Sequence, residues 1–274
     1  MSDASTAERP YQVDDAWSRA VFTRRSGRVG AFLAPHLRPG MRLIDCGCGP
    51  GSITVDLAAI VAPGAVIGTD RREDALNDGR RLARERGVVN VAFTAANIYR
   101  LPYPDGSFHA AFSCAVLQHL ADPHAALAEI RRVLIPDGVI GIVDGSSPLT
   151  FRYPTNPFLD TWDRLRALQR AHNTGRPSEM LQLRTLLREA GFSRTEASGT
   201  LATEVGGPAG SPEATQSAAQ NDLIRLRGVL GKLALAEGWV TSGELEQIAR
   251  ALTAWGEAPD AFCARPTFTA IGWA

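Results

Sequence analysis

Between residues 41 and 144, short apolar runs alternate with stretches whose apolar residues recur every three or four positions. That alternation is the pattern of repeated strand and helix units building a parallel sheet. The runs predict strands over Arg42–Cys46, Ala65–Thr69, Val91–Thr94, Ala110–Cys114 and Val139–Val143. Between them, Ser52 to Val61 places Ile53, Leu57 and Val61 on one helical face, and Glu73 to Arg86 is a charged helix with Leu76, Gly79 and Leu82 inward. Asp122-Pro123 supplies an N-cap and a first-turn proline, and Leu127, Ile130 and Leu134 form the buried stripe of the helix that follows. Pro136-Asp137-Gly138 then turns the chain into the fifth strand.

After residue 145 the rhythm changes. Pro148, Pro154, Pro157 and Pro177 mark an irregular connection around an amphipathic piece near Phe158 to Gln169. Ser178 to Ala190 predicts a helix stopped by Gly191, and Phe192 to Val205 a further strand. Gly206, Gly207, Pro208 and Gly210 precede two helices, over Pro212 to Ala236 and Ser242 to Trp255. The second begins with a Thr241-x-x-Glu244 capping box, while the first contains Gly228 and Gly231. Pro266 to Trp273 is the last expected strand, which makes the helices after residue 210 an insertion within one α/β domain.

Lys+Arg and Asp+Glu are both 29, so the overall charge carries no footprint of a nucleic-acid partner. The first residues, MSDASTAERPYQVDD, are polar and acidic where a signal peptide is basic and then apolar, and no membrane-length apolar run occurs. A cytoplasmic location is expected. Cys46, Cys48, Cys114 and Cys263 are too few for a disulfide framework and lack the paired spacing of a zinc site. Cys46 and Cys48 sit in a glycine motif with no second cluster to complete a ligand set, so no metal is expected.

That motif, Leu43-Ile44-Asp45-Cys46-Gly47-Cys48-Gly49-Pro50-Gly51, leads from a strand into a glycine-rich turn and a helix. Alternate glycines let the backbone approach a ligand, and the helix start favours an anionic group. Asp70 ends the second strand, where a carboxylate accepts from both hydroxyls of a ribose. The G-x-G-x-G spacing is shorter than the G-x-G-x-x-G of a dinucleotide pyrophosphate site, which argues against NAD.

DCGCGPG, VIGTD, LPYPDGSFHAAFSCAVLQHL and ALAEIRRVLIPDGVIGIVD occur in that order. Over residues 20 to 145 they resemble the successive motifs of class I S-adenosylmethionine-dependent methyltransferases, nearest the ubiquinone/menaquinone-biosynthesis type. The resemblance implies a Rossmann-like, mostly parallel sheet with helices on both faces, plus helical lid insertions. It divides the chain into an N-terminal helical cap (1–38), a cofactor-binding core (39–146), an insertion (147–177), the core continued (178–206), a helical lid insertion (207–262) and a final core strand (263–274). By the same resemblance Gly47, Cys48 and Gly49 lie against the methionine and ribose, Asp70 holds the ribose hydroxyls and Arg71 flanks the adenine. Asn97 and Ile98 contact the adenine, with Asn97 standing where the family usually has Asp, so that a side-chain carbonyl meets the adenine amino group. Ser113 and Gln118 line the transfer site, and Tyr11 and Arg24 close over the methionine carboxylate. For Arg24 a solvated position beside Arg25 and Arg28 is the alternative. Asp45 is expected to brace the turn, and Cys114 stands where the family often has His, so no role transfers to it.

Methyl transfer needs an acceptor atom held in line with water excluded, and a general base only where the acceptor carries a proton of high pKa. His119 and Asp144 are the candidates for that base, each with packing as the alternative role. His109 reads as a surface turn residue; His36, His124 and His172 read as structural or solvated. Phe158, Trp162, Trp239 and Trp255 can build an acceptor pocket or an ordinary core. The expected activity is therefore methylation of a small organic molecule on O, N or C. The alternative is a non-methylating enzyme that uses bound S-adenosylmethionine for rearrangement, cyclisation or decarboxylation. A small-molecule acceptor is the expected partner, without a membrane span, and a homodimer is left open.

Overall fold

The computed structural model describes residues 30–145, 149–174, 182–202 and 212–274. Eight strands form one sheet: β1 Leu43–Cys46, β2 Val66–Asp70, β3 Val91–Ala95, β4 Phe108–Cys114, β5 Leu134–Gly145, β6 Phe151–Tyr153, β7 Arg194–Ala202 and β8 Phe262–Trp273. The order is β3-β2-β1-β4-β5-β8-β6, with β7 also paired to β8. The first five strands in that order run parallel, and β8 lies antiparallel to β5, β6 and β7. Strand order reverses between β1 and β4, which opens a crevice beyond their carboxyl ends.

The helices are α1 Ser52–Val61, α2 Glu73–Glu85, α3 Pro123–Val133, α4 Pro157–Thr174, α5 Leu183–Glu189, α6 Pro212–Arg227, α7 Val229–Ala236 and α8 Ser242–Glu257. Apolar strands such as β1, buried at all four positions, are covered on both faces. One cluster joins Ile44, Ala111, Ile140 and Ile142 to Leu127 and Ile130 of α3 and Leu186 and Leu187 of α5. The opposite cluster joins Leu43, Phe112, Val139 and Val143 to Ile53, Leu57 and Val61 of α1. A further cluster, with Leu159, Trp162, Leu226, Leu230, Ile248, Leu252, Trp255 and Cys263, binds α4, α6, α7 and α8 into a helical layer.

Several expected boundaries shift for local reasons. The Asp122 carboxylate accepts from Ala125 N–H at 2.9 Å and starts α3, but the helix ends at Val133 and Leu134 already belongs to β5. The Pro136-Asp137-Gly138 turn is a loop-out inside β5: pairing jumps from Phe108↔Leu134 to Ala110↔Val139, and Asp137 adopts φ 61°. The helix expected over Pro212–Ala236 divides at Gly228, and a Cβ at Gly231 would collide with the Leu226 carbonyl. α4 is longer than its amphipathic signal, and β6 had no signal of its own. α8 begins with the expected capping box: Glu244 N–H donates to Thr241 Oγ1 at 3.2 Å and Thr241 N–H to Glu244 Oε2 at 2.8 Å.

Candidate functional site

The crevice is built on the turn from β1 to α1. Gly47 and Cys48 N–H donate to the Thr69 carbonyl at 2.7 and 2.9 Å, Gly49 N–H to Asp70 Oδ2 at 3.0 Å, and Gly51 N–H to the Cys48 carbonyl at 3.1 Å. These four donors are spent within the protein, so the turn is not the anion cradle that a glycine-rich strand-to-helix turn suggests. A pyrophosphate would find these amides occupied, whereas a ligand that offers hydroxyl donors and apolar surface loses nothing there.

The glycines divide the work. Gly47 and Gly51 have φ of 77° and 74°, and a Cβ would strike Val116 at the first and the Phe93 ring at the second. Gly49, at φ 53°, has nothing within 4 Å of a Cβ. The turn is therefore packed on its protein side and open at Gly49. The Cys48 thiol points back towards Gly68, so Cys48 offers the crevice its backbone.

Asp45 braces the turn from below. Thr54 Oγ1 donates to Asp45 Oδ2 at 2.6 Å, and Thr69 Oγ1 donates to its carbonyl at 3.2 Å. Burial raises the Asp45 carboxyl to about 7; the Thr54 hydrogen bond works against the rise and the nearby Asp70 charge adds to it. The Cys46 thiol, also buried, is pushed far up and stays protonated. Among the described residues, no group of three or more His, Cys, Asp or Glu is placed to hold a metal ion.

Asp70 closes β2 with both carboxylate oxygens in use: Oδ2 accepts from Gly49 and Oδ1 from Arg72 N–H at 3.0 Å. Each oxygen keeps a lone pair for a further donor. The Asp70 carbonyl accepts from Ala96 N–H at 3.0 Å, which draws the end of β3, and Asn97 and Ile98 after it, to the same rim. Asn97 Oδ1 accepts from Tyr99 N–H at 3.0 Å, and Ile98 packs half-buried beside the cluster that holds Leu117. Arg71 is exposed at that rim.

The other half of the crevice comes from the ends of β4 and β5. Ser113 is buried, and its Oγ has no hydrogen-bond partner among the described residues. Ala115 adopts φ 58° and donates its N–H to the Val143 carbonyl at 2.8 Å, so the chain leaves β4 through a strained residue of the kind found at functional sites. A short 3-10 turn, Leu117–His119, follows and carries Gln118 and His119. Arg170 Nη1 of α4 donates to Gln118 Oε1 at 2.8 Å and to the Gly145 carbonyl at 3.2 Å. That guanidinium therefore joins the 3-10 turn to the end of β5, where Asp144 is 1% exposed. Burial and then the charges of Arg170, Arg225 and Arg71 hold His119 well below the ordinary histidine range. It is neutral at neutral pH.

The structure thus brings Gly47, Cys48, Gly49, Asp70, Arg71, Asn97 and Ile98 to one end of the crevice, and Ser113, Gln118, His119 and Asp144 to the other. Tyr11 and Arg24 lie outside the described residues. His109 is not a turn residue: it lies in β4, and its Nδ1 accepts from Arg42 N–H at 3.1 Å. Trp162 and Trp255 are core of the helical layer, while Phe158 is partly exposed. Sequence reasoning missed Arg170 and Arg225; their only signal was spacing, since Asp163, Arg166 and Arg170 recur on one face of α4.

Residues 37–188, more than half of the chain, match the family described as "Methyltransferase domain". Over 116 residues the chain is 38% identical to an uncharacterized methyltransferase of Schizosaccharomyces pombe, covering 40% of this chain and 41% of that protein. Over 113 residues it is 35% identical to the ubiquinone/menaquinone biosynthesis C-methyltransferase of Shewanella sp. (strain ANA-3), covering 40% and 45%. The matches thus span less than half the length of these curated relatives. The fold is similar to that of Haemonchus contortus phosphoethanolamine N-methyltransferase 2 in complex with S-adenosyl-L-methionine, with a TM-score of 0.58 at 15% identity, covering 94% of this chain and 56% of that one. No helix among the described residues is long and apolar enough to cross a membrane.

Proposed function

The chain belongs to the methyltransferase-domain family, and from that membership we propose that it transfers a methyl group from S-adenosylmethionine to a small organic acceptor. The observation that carries the reading is the β1–α1 turn, whose amides are spent internally beside the ribose-ready carboxylate of Asp70. That combination suits a nucleoside without a phosphate. The orphaned Ser113 Oγ and the open face at Gly49 fit the same ligand.

In this reading Asp70 takes the two ribose hydroxyls on its remaining lone pairs, and Gly47, Cys48 and Gly49 present backbone to the ribose and methionine. Asn97 Oδ1 uses its second lone pair for the adenine amino group, with Ile98 and Arg71 on the ring's flanks. Ser113 and Gln118 border the transferred group, and Tyr11 and Arg24 belong to the proposed 1–38 cap. The bound sulfonium supplies an activated methyl group, so the protein's own task is to orient the acceptor and exclude water. α4 and the α6–α8 helices serve as the lid that does so. Neutral His119 and the buried Asp144 are the groups placed to take a proton from an acceptor at the ends of β4 and β5. The setting is cytoplasmic and the partner a small molecule.

Calorimetry with S-adenosylmethionine and S-adenosylhomocysteine, with NAD as control, tests the cofactor half. Two charge-assisted hydrogen bonds of about 1.5–3 kcal/mol each make Asp70→Ala weaken both sulfur compounds by roughly 10²–10⁴-fold. Asp70→Asn, which retains one acceptor for the turn, separates ligand contact from support of Gly49. Binding of NAD in preference to either compound, or unchanged affinity in Asp70→Ala, would overturn the assignment.

A further inference from the structure

The sheet ends differently at β3 and at β7. β3 is five residues long, and Arg80 Nη2 of α2 donates to its Phe93 carbonyl at 2.9 Å, so a neighbouring side chain is already bonded to that strand. β7 is nine residues long and pairs with β8 in one unbroken antiparallel register, from Arg194↔Trp273 to Ala202↔Arg265. Among the described residues no other strand pairs with it, so its second side is an edge of the sheet.

Such an edge offers a row of backbone donors and acceptors to any other strand, and folded monomers blunt it with proline, lysine, a bulge or a covering segment. β7 reads Arg-Thr-Glu-Ala-Ser-Gly-Thr-Leu-Ala, without proline or lysine, and its register carries no bulge. Side chains alternate between the two faces of a strand. Glu196, Ser198 and Thr200 are exposed on one face of β7, Ala197 and Leu201 on the other, with Leu201 63% exposed. Thr195 is the one half-buried residue of Arg194–Leu201, and there Arg184 Nε of α5 donates to Thr195 Oγ1 at 3.2 Å. The rest of the edge is open on both faces.

The order of residues in β7 suits a copy of itself. Opposite residues of an antiparallel pair lie on the same face, so a strand that pairs with its own copy about a two-fold axis normal to the sheet sets one residue opposite itself. Pairing the whole of β7 puts Ser198 on that axis. Ala197 then faces the partner's Gly199, Glu196 the partner's Thr200, Thr195 the partner's Leu201 and Arg194 the partner's Ala202. The two charged residues of the strand, Arg194 and Glu196, both meet neutral ones, and no like charges oppose each other. Small residues occupy the centre, and the exposed Leu201 gains cover beside the partner's Thr195. A register centred on Glu196 instead would oppose two carboxylates and shorten the ladder.

We propose that the protein forms a two-fold symmetric homodimer by antiparallel pairing of β7 with the β7 of a second copy, centred on Ser198, which joins the two sheets into one. Only a second copy uses this self-complementarity; an unrelated extended segment would have no need of it.

Sedimentation equilibrium of the full chain tests the proposal and is expected to give twice the chain mass at micromolar concentration. Ser198→Lys and Ser198→Glu each set like charges opposite one another on the axis and are expected to weaken association at least about tenfold. A one-to-one mixture of these two variants sets opposite charges there and is expected to dimerise again. Ser198 is exposed, so each variant is expected to keep the wild-type unfolding midpoint. Away from the axis, Thr200→Glu faces the partner's Glu196 and is expected to weaken the dimer, while Thr200→Lys strengthens it. A wild type that stays monomeric up to about 100 μM overturns the proposal. A dimer unaffected by either Ser198 variant forms through another surface and overturns it as well, as does a mixture that stays monomeric or a pair of Thr200 variants that associate equally.

Discussion

Asp45→Asn should abolish the pH dependence of stability that the buried Asp45 imposes. Asp45 is 2% exposed and its carboxyl is raised from 3.8 to about 7, with burial the leading cause. Between those values the unfolded chain has released the proton and the folded chain still holds it, so stability falls as pH rises through this window. Each displaced unit is worth about 1.4 kcal/mol, which puts the loss on the order of 4 kcal/mol once pH exceeds 7. Asparagine cannot ionise and keeps an oxygen for Thr54 Oγ1, but it buries an amide N–H₂ that costs about 1–3 kcal/mol if left without acceptors. The variant should therefore be less stable than wild type near pH 4 and more stable near pH 8. The swing between the two conditions reflects Asp45 ionisation alone, because the asparagine penalty is common to both. Urea denaturation of both proteins at about pH 4, 6 and 8 reads it directly. A wild-type-minus-variant difference that stays constant across that range would refute the reasoning. So would a variant that is the less stable protein at every pH.

Two further substitutions probe the frame around the site. Gly51→Ala forces φ 74° on a residue with a side chain and drives a Cβ to 2.6 Å from the Phe93 ring; strain of about 1–2 kcal/mol and overpacking of about 1–3 kcal/mol should shift the denaturant midpoint well down, and a loss below about 1 kcal/mol would contradict the packing described. Asp222→Ala leaves Arg152 and Arg265 buried without their shared carboxylate, and should cost about 3–5 kcal/mol in thermal or chemical unfolding; a change below about 1 kcal/mol would show that the helical layer does not depend on that ion network.

The parallel sheet and the first helices were legible because each satisfies one periodicity. Leu43–Cys46 is buried at every position and is apolar but for Asp45, whose carboxyl is held by Thr54, and Leu57 and Val61 lie one turn apart on a face that meets the sheet. The place of Asp70 at the end of β2 was legible from the apolar run that it closes, but its acceptance of the Gly49 and Arg72 N–H groups was not. The resemblance of the glycine turn to an anion cradle was misleading, because spacing reports where glycines fall and is silent on where their amides point. Here Thr69, Asp70 and Cys48 accept them. His109 was misread as a turn residue because strand β4 starts at Phe108, two residues before the expected Ala110, and takes it in.

The buried network of Arg152, Arg166 and Arg265 with Asp163 and Asp222 was illegible for a deeper reason. On α4 alone, Asp163, Arg166 and Arg170 read as the solvated face of an amphipathic helix, and Asp222 and Arg225 on α6 read the same way. Their burial exists only because two helices roughly fifty residues apart in the chain bring their charged faces together, with β6 and the outer end of β8 supplying Arg152 and Arg265. The Gly47–Gly51 turn depends on backbone geometry set by short-range rules, whereas the ion network of Arg152, Arg265, Asp163 and Asp222 is made of charges that meet only through tertiary contact.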